Sequence, residues 1–189
     1  MNEFTAYILQ FGNLNKHQID LIESKGTVVE LRKDDFFWEA GKAVKQVGFI
    51  TQGVLRVFYY NNKGEEITRY FIDENHLILS GHTGEGMYIP SEYLSAVSDC
   101  TLIVFPHRNW TELLEIIIGL DQIVQRIVAR QHKEKVSRRS EMITQSAKER
   151  YLDFIHKFPT LVNRVPLSYI ASYLGITQSS LSRIRKSIS

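Results

Sequence analysis

The C-terminal stretch VPLSYIASYLGITQSSLSRIRK, residues 165–186, constrains the fold of the chain more than any other segment. Apolar residues recur within 170–174 at the three- to four-residue spacing of a helix that buries one face. Gly175 follows at the position where helices commonly end in the left-handed conformation that glycine adopts most easily. Thr177 can then cap a second helix, of which Leu181 would face inward. The stretch therefore predicts two short helices joined by a one-glycine corner, a helix-turn-helix.

The outer side of the second helix is rich in hydroxyl, amide and cationic groups, which can reach base edges and phosphates. These residues are Gln178, Ser179, Ser182, Arg183, Arg185 and Lys186. The same pattern also fits an ordinary helical hairpin with a solvated basic face. Charge favours the first interpretation, because residues 1–129 hold 11 Lys/Arg against 17 Asp/Glu, net −6, whereas residues 130–189 hold 12 against 4, net +8. A C-terminal third of opposite sign predicts a polyanionic partner, and the helix-turn-helix pattern within it favours nucleic acid.

Short β-branched and aromatic runs, separated by turn sequences, fill the chain between positions 27 and 105. The runs GTVVELRK, QVGFIT, VLRVFYY, EITRYFI and CTLIVF are typical of strands. The sequence NNKG at 61–64 predicts a hairpin turn between VLRVFYY and EITRYFI. Short strands at this spacing predict an antiparallel roll or jelly roll of about 80 residues. Short amphipathic helices precede it, up to about Glu23.

Helical patterns replace the strands after Pro106 and make the predicted fold class α+β. One long helix carries an apolar stripe that either packs on the roll as core or forms the seam of a two-stranded dimer. We assign the stripe to a homodimer interface, since a helix-turn-helix protein that reads a symmetric site needs two copies. Its residues are Leu120, Ile123, Val124, Ile127 and Val128. The predicted domains are a sensor roll with its N-terminal helices (1–115), a dimerisation helix (116–139) and a helix-turn-helix domain (140–189).

Several classes of protein are disfavoured by composition. No apolar run approaches the roughly 20 residues that span a bilayer, and the first twenty residues lack a secretory signal. The single cysteine, Cys100, has no partner for a disulfide within the chain, which favours a reducing compartment. We therefore expect a cytoplasmic protein with no membrane partner.

In this order of roll, apolar helix and helix-turn-helix, the chain resembles the Crp/Fnr family of bacterial transcription regulators over nearly its whole length. The match is close in KERYLDFIHKFPTLVNRVPLSYIASYLGITQSSLSRIRK, where Ala171, Gly175 and Leu181 occupy the small, glycine and apolar positions of the family motif. It is looser in the roll, where it depends on FFWEAGK and VGFITQGVLRVFYY. The resemblance implies a cyclic-nucleotide-binding-like β-roll, a dimer helix and a winged helix-turn-helix. It also implies sequence-specific binding to a palindromic site on double-stranded DNA, with RNA polymerase as a further candidate partner.

The same resemblance implies roles for residues of the second helix, which would be the recognition helix. Arg183 stands at the position of the family's guanine-reading arginine, and an arginine can bond both guanine acceptors at once. Many relatives have Arg and Glu where Gln178 and Ser179 stand, so this chain should recognise a different DNA half-site from theirs. The DNA-binding residues predicted in this way are Thr177, Gln178, Ser179, Ser182, Arg183, Arg185 and Lys186.

The resemblance is weakest at the effector site. Cyclic-nucleotide binders of the family pair a Gly-Glu step, for the ribose, with a later Arg-Ser step, for the phosphate. Here Gly84 and Glu85 supply the first step, but Pro90 stands near the arginine position. Because the phosphate would lose its charge-assisted partner, we predict weak or no binding of cyclic AMP. The glycine-rich segment is either an ordered turn or a pocket for another small-molecule effector, formed by Ser80, Gly81, His82, Thr83, Gly84 and Glu85.

The sequence offers no pattern for a metal, cofactor or catalytic site. A chain-held iron–sulfur cluster needs several cysteines, and the six histidines lack the spacing that would bring two ligands together. A cupin-like enzyme, the first alternative, would need clustered His and Glu ligands, whereas His82 stands alone in its segment. The second alternative is a ligand-binding adaptor whose terminal helices bind protein. We predict a regulator and no enzyme, in which an effector would act through a hinge near residues 136–142.

Overall fold

The computed structural model describes residues 2–79, 89–139 and 145–188, and side chains are described in all of these except 138 and 139. Within these ranges the chain forms seven helices and two four-stranded antiparallel sheets. This confirms the predicted α+β class with a roll followed by helices. None of the helices in the described ranges has the length and apolar character that crossing a membrane requires.

Two short helices open the chain and close one end of the roll. They are α1, Glu3–Ile8, and α2, Lys16–Lys25. Asn15 caps α2 in a capping box, since its side chain accepts from the backbone of Gln18 while the Gln18 side chain accepts from the backbone of Asn15. Phe4, Tyr7 and Ile8 of α1 and Ile22 of α2 are buried in one cluster with residues of the roll, and Leu21 is partly buried against it.

The roll consists of eight strands in two sheets. The strands are β1 Thr27–Leu31, β2 Phe36–Trp38, β3 Gln46–Gln52, β4 Leu55–Tyr60, β5 Glu66–Ile72, β6 Leu77–Ile78, β7 Tyr93–Ala96 and β8 Cys100–Pro106. Their order is β1-β8-β3-β6 in one sheet and β2-β7-β4-β5 in the other. Every pair is antiparallel. The strand β5 therefore lies at the edge of its sheet.

The predicted hairpin at 61–64 joins β4 to β5. The backbone N–H of Asn61 donates to the carbonyl of Glu65 at 3.0 Å, and the Asn61 side chain accepts from the backbone of Lys63 and Glu65. An asparagine whose side chain accepts from the backbone of its own turn stabilises a tight reversal of the chain. Between the two sheets lies a mainly aliphatic core that includes the buried Phe37 and Cys100.

The long helix α4, Leu120–Arg139, follows α3, His107–Ile116, and packs on the chain's own N-terminal segment. Leu120, Ile123, Val124 and Ile127 are all buried in one cluster with the rings of α1 and the roll. At Gly12 a β-carbon would lie 2.6 Å from the Ile123 side chain, so the glycine permits this close approach.

This burial corrects the predicted dimer interface. The side chains of Leu120, Ile123, Val124 and Ile127 are covered by residues of the same chain, so they are unavailable to a second copy. Only Val128 of the predicted set is exposed, at 40%. The stripe is core because the N-terminal helices, whose docking the local pattern did not predict, fold back over it.

Three further helices form the C-terminal unit: α5 Ala147–Lys157, α6 Leu167–Leu174 and α7 Gln178–Ile188. Ser146 and Glu149 form a capping box at the start of α5, and the two hydrogen bonds to Ser146 hold the pKa of Glu149 below its usual value. The three helices share an apolar cluster that also includes Val54, Phe71 and Val97 of the roll. The C-terminal unit is therefore packed directly on the roll.

Candidate nucleic-acid interface

The corner between α6 and α7 has the geometry that the sequence predicts. Gly175 adopts the left-handed conformation, with φ +66° and ψ +35°. Its N–H donates to the carbonyl of Ser172 at 3.1 Å, and the N–H of Ile176 donates to Ala171 at 3.0 Å. The second of these is the 6→1 bond of a Schellman motif, which satisfies carbonyls at the end of a helix. The direction of α7 is thus fixed by backbone bonds at the corner.

Arg150, which the sequence analysis did not identify, supports this corner from α5. Its guanidinium donates to the carbonyl of Leu174, the last residue of α6. A β-carbon at Gly175 would lie 3.4 Å from the same guanidinium. A cation at the C-terminal end of a helix also stabilises the helix dipole. No local signal marks Arg150 in the sequence, because it lies 24 residues from the carbonyl that it binds.

Thr177 caps the start of α7. Its hydroxyl oxygen accepts from the backbone N–H of Ser180 at 3.2 Å, and its carbonyl accepts from Leu181 at 3.0 Å. The hydroxyl also bonds the side chains of Ser179 and Ser180, at 3.0 and 2.9 Å. The predicted cap is therefore present. A phosphate contact by Thr177 would have to redirect a hydroxyl that already has partners within the helix.

The two sides of α7 differ in chemistry. Leu181 is fully buried, and Ile184 and Ile188 are half-buried on the same side, against α5 and α6. At 100° per residue the opposite side gathers most of the predicted DNA-binding residues. Ser179, Arg183 and Lys186 are exposed there and Ser182 is half-buried, while Gln178 and Arg185 are exposed at the flank. The structure thus places four of the predicted residues on the side of α7 that faces away from the buried Leu181 and two at its flank.

This face, which we call the α7 face, is defined by Gln178, Ser179, Ser182, Arg183, Arg185 and Lys186. Its charge is positive, since α7 has no acidic residue and three basic ones. Between 145 and 188 the acidic residues are Glu149, which caps α5, and Asp153, which pairs with Lys157 at 2.8 Å. Both carboxylates are engaged within α5, so they do not neutralise the α7 face.

The predicted effector residues Ser80, Gly81, His82, Thr83, Gly84 and Glu85 lie outside the described part of the chain. Pro90, at the position where the family has its phosphate-binding arginine, is buried, and its carbonyl accepts from the N–H of Gly41 at 2.8 Å. Among the described residues, no group of three or more His, Cys, Asp or Glu side chains is arranged to hold a metal ion.

Comparison with known proteins finds similarity in structure. No family model and no curated protein sequence matches the chain. FixK2 from Bradyrhizobium japonicum superposes with a TM-score of 0.73 and 15% identity, over 86% of this chain and 84% of that one. CLP of Xanthomonas campestris, described as a c-di-GMP responsive global regulator, superposes with a TM-score of 0.72 and 12% identity, over 92% and 91% of the two chains.

A third solved structure names the family. It is a putative transcriptional regulator of the Crp/Fnr family from Eubacterium rectale, with a TM-score of 0.69 and 15% identity, over 92% of this chain and 82% of that one. The fold, the order of its elements and the coverage of all three likenesses agree with the resemblance in the sequence. The chain is a Crp/Fnr-like protein in fold: a β-roll, a long helix and a helix-turn-helix.

Proposed function

We propose that this chain is a sequence-specific DNA-binding regulator of transcription, of the Crp/Fnr type, and that α7 is its recognition helix. The observation that carries the proposal is the α7 face, which is cationic, rich in hydrogen-bonding groups and open to solvent beside a fully buried Leu181. The helix α7 has 11 residues, and an α-helix with its side chains is about 10–12 Å in diameter, which fits a major groove roughly 12 Å wide. Backbone bonds at Gly175 hold it at a fixed angle to α6.

The α7 face offers each kind of contact that a DNA reader needs. Arg183 can bond the two acceptors of a guanine, a contact that discriminates between bases by about 1–3 kcal/mol. Gln178, Ser179 and Ser182 can bond other base edges, while Arg185 and Lys186 suit phosphates. Thr177 is proposed to bind a phosphate after its hydroxyl turns away from Ser180.

We propose a homodimer that pairs along the exposed side of α4, which shares only Val128 with the interface first predicted. Ala129, His132 and Val136 are exposed on the side opposite the buried stripe and Val128 is exposed at its flank, with Val128 at 40% and Val136 at 52%. Four- and eight-residue spacings place Val128, His132 and Val136 in one row along the helix. A parallel pairing along this row, which we call the α4 row, would place two recognition helices about 34 Å apart, one turn of DNA.

The remaining parts of the proposal concern the roll and the setting of the protein. We propose that the roll does not bind cyclic AMP. The position of the family's cationic phosphate ligand is occupied by Pro90, which is buried and has no N–H to donate. An effector, if one binds, is a different small molecule. We also propose domain boundaries at 115/116 and 139/140 and a contact with RNA polymerase. The proposed protein is cytoplasmic and has no catalytic activity.

Selection from random duplexes tests the proposed function. We expect the purified full-length chain to enrich a palindrome whose half-sites lie about one helical turn apart. The matched control is a variant with Gln178→Ala, Ser179→Ala and Arg183→Ala, which should keep its fold and lose the enrichment. Recovery of the same motif by the control variant, or of no motif by the natural chain, would contradict the assignment of α7.

The adaptor alternative makes a different prediction about salt. Binding to DNA weakens steeply as salt rises because counterions return to the phosphates, whereas an apolar protein interface responds little. A partner retained equally at low and high salt would favour the adaptor.

A further inference from the structure

We propose that residues of the roll set the spacing between half-sites that the dimer accepts, with Arg56 as the principal positioning residue. This inference rests on the proposed function and goes beyond it. Arg56 lies on β4, outside the helix-turn-helix, and does not belong to the α7 face. It acts through α6, which it holds against the outer side of the sheet.

Arg56 is a buried cation that joins the two units. Only 2% of the residue is exposed. Its Nε donates to the hydroxyl of Thr68 at 2.9 Å, and a terminal nitrogen donates to the carboxylate of Glu66 at 2.6 Å. The guanidinium carbon lies 4.4 Å from the ring centroid of Phe58 and 3.9 Å from that of Tyr169 on α6. A desolvated arginine between two rings gains cation–π energy on both sides, and one of those rings belongs to the helix-turn-helix.

Ser172 of α6 adds a second contact at the edge of the same sheet. Because β5 is an edge strand, its outward N–H groups have no neighbouring strand to bond. The N–H of Thr68 donates instead to the Ser172 hydroxyl at 2.9 Å, and that hydroxyl donates to the carbonyl of Glu66 at 3.1 Å. The side chain thus takes the place of a strand partner, with a donor and an acceptor correctly placed. This contact fixes the position of α6 along β5.

A third contact lies at the other end of the unit. Arg164, just before α6, forms two hydrogen bonds with the carboxylate of Glu74, one of them at 3.0 Å, and Glu74 also accepts from the backbone of Gly53 at 2.7 Å. Between the two ends, the ring of Phe71 lies 5.7 Å from that of Tyr173 and 6.4 Å from that of Phe154. Contacts at three separated places oppose rotation of one body on the other.

A helix-turn-helix held in this way cannot follow a displaced half-site. One extra base pair moves a half-site by about 3.4 Å and rotates it by about 34° around the duplex. If both recognition helices are fixed to their rolls, only one can then engage its half-site. The gain from joining two binding units, about 10²–10⁴ in affinity, is lost when the geometry forbids simultaneous binding. Released units could follow the displaced site and would keep much of that gain.

The test measures binding by fluorescence anisotropy to three duplexes: the selected palindrome, the same palindrome with one inserted base pair, and a single half-site. For the natural chain we expect the insertion to weaken binding by about 100-fold. For Arg56→Met and for Tyr169→Ala we expect a penalty of about tenfold or less, with half-site affinity unchanged. Tyr169→Phe keeps the ring over Arg56 and should restore the full penalty. Arg108→Met, which removes the same charge from an exposed position on α3, is the matched control.

The outcomes separate this inference from the proposed function. Thermal melting of each variant shows that it is folded, and Tyr169→Ala alters only a half-buried side chain if Arg56→Met fails to fold. An equal insertion penalty in all variants, or a natural chain that binds the inserted palindrome as tightly as the original, would overturn the role of Arg56 while DNA binding stands. A natural chain that binds none of the three duplexes would overturn both.

Discussion

The helix-turn-helix unit has a side whose polar groups bind the roll, which we call the satisfied side, and an opposite side that is open to solvent. On the side toward the roll, Ser172, Tyr169 and Arg164 all bind partners in β4, β5 or the turn after β5. On the opposite side, the α7 face presents amide, hydroxyl and cationic groups to solvent. The two sides therefore have different roles within one small unit. The satisfied side determines where the unit is held, and the open side determines what it can bind.

The largest expected effect separates the two sides of α7. Leu181→Ala removes a fully buried side chain and leaves a cavity beneath the helix, so we expect the free energy of unfolding to fall by about 3 kcal/mol. Gln178→Ala, on the open side, should change it by less than about 0.5 kcal/mol. Urea unfolding measures both. Similar losses in the two variants would mean that the α7 face is packed against other parts of the chain.

The next effect tests whether the open side reads bases. Arg183→Ala should cost about 1–3 kcal/mol at one base pair in each half-site and leave the free energy of unfolding within about 0.5 kcal/mol of the natural value. Binding to a set of palindromes that differ at single positions measures this. A uniform loss at every position would instead assign Arg183 to a phosphate.

The α4 row can be tested by a charge at each end. Val128→Asp together with Val136→Asp places four carboxylates in the proposed dimer seam. We expect the dissociation constant of the dimer to rise about tenfold or more, because unpaired charges there would lose their solvation. Sedimentation equilibrium measures it, with the exposed Thr111→Asp on α3 as control. An unchanged constant would place the dimer interface elsewhere.

The smallest effect concerns the ion pair on the satisfied side. Burial raises the pKa of Glu74, but hydrogen bonds from Arg164 and two backbone groups outweigh it and hold the pKa below its usual value. A lowered pKa gives stability that is present above the unfolded-state value, about 4.3, and is lost as the pH falls through the folded value. Glu74→Gln should therefore cost a few tenths of a kcal/mol at pH 7 and much less at pH 3, since both side chains are partly exposed.

Unfolding in urea at the two pH values gives this difference directly. Glu39→Gln, in the exposed pair with Lys42, is the matched control. If Glu74→Gln lost as much stability at pH 3 as at pH 7, the loss would come from packing and not from the charge.

Local features of the molecule could be predicted from the sequence, and contacts between distant segments could not. Gly175 and the hairpin at 61–64 were predicted because a single turn of backbone decides them. The buried stripe of α4 was assigned to the wrong partner, since periodicity shows that a face is buried but not what covers it. The burial of Arg56 could not be predicted either, because an arginine that alternates with Leu55 and Val57 on a strand is expected to face water.

The central claim is that the α7 face binds DNA, and salt dependence tests it most directly. Arg185 and Lys186 on two protomers give four phosphate contacts, so the logarithm of the association constant should fall with the logarithm of salt concentration with a slope of about −4. Arg185→Gln together with Lys186→Gln should bring the slope close to zero. A natural chain whose duplex binding is already independent of salt, or a variant that keeps the full slope, would contradict the claim.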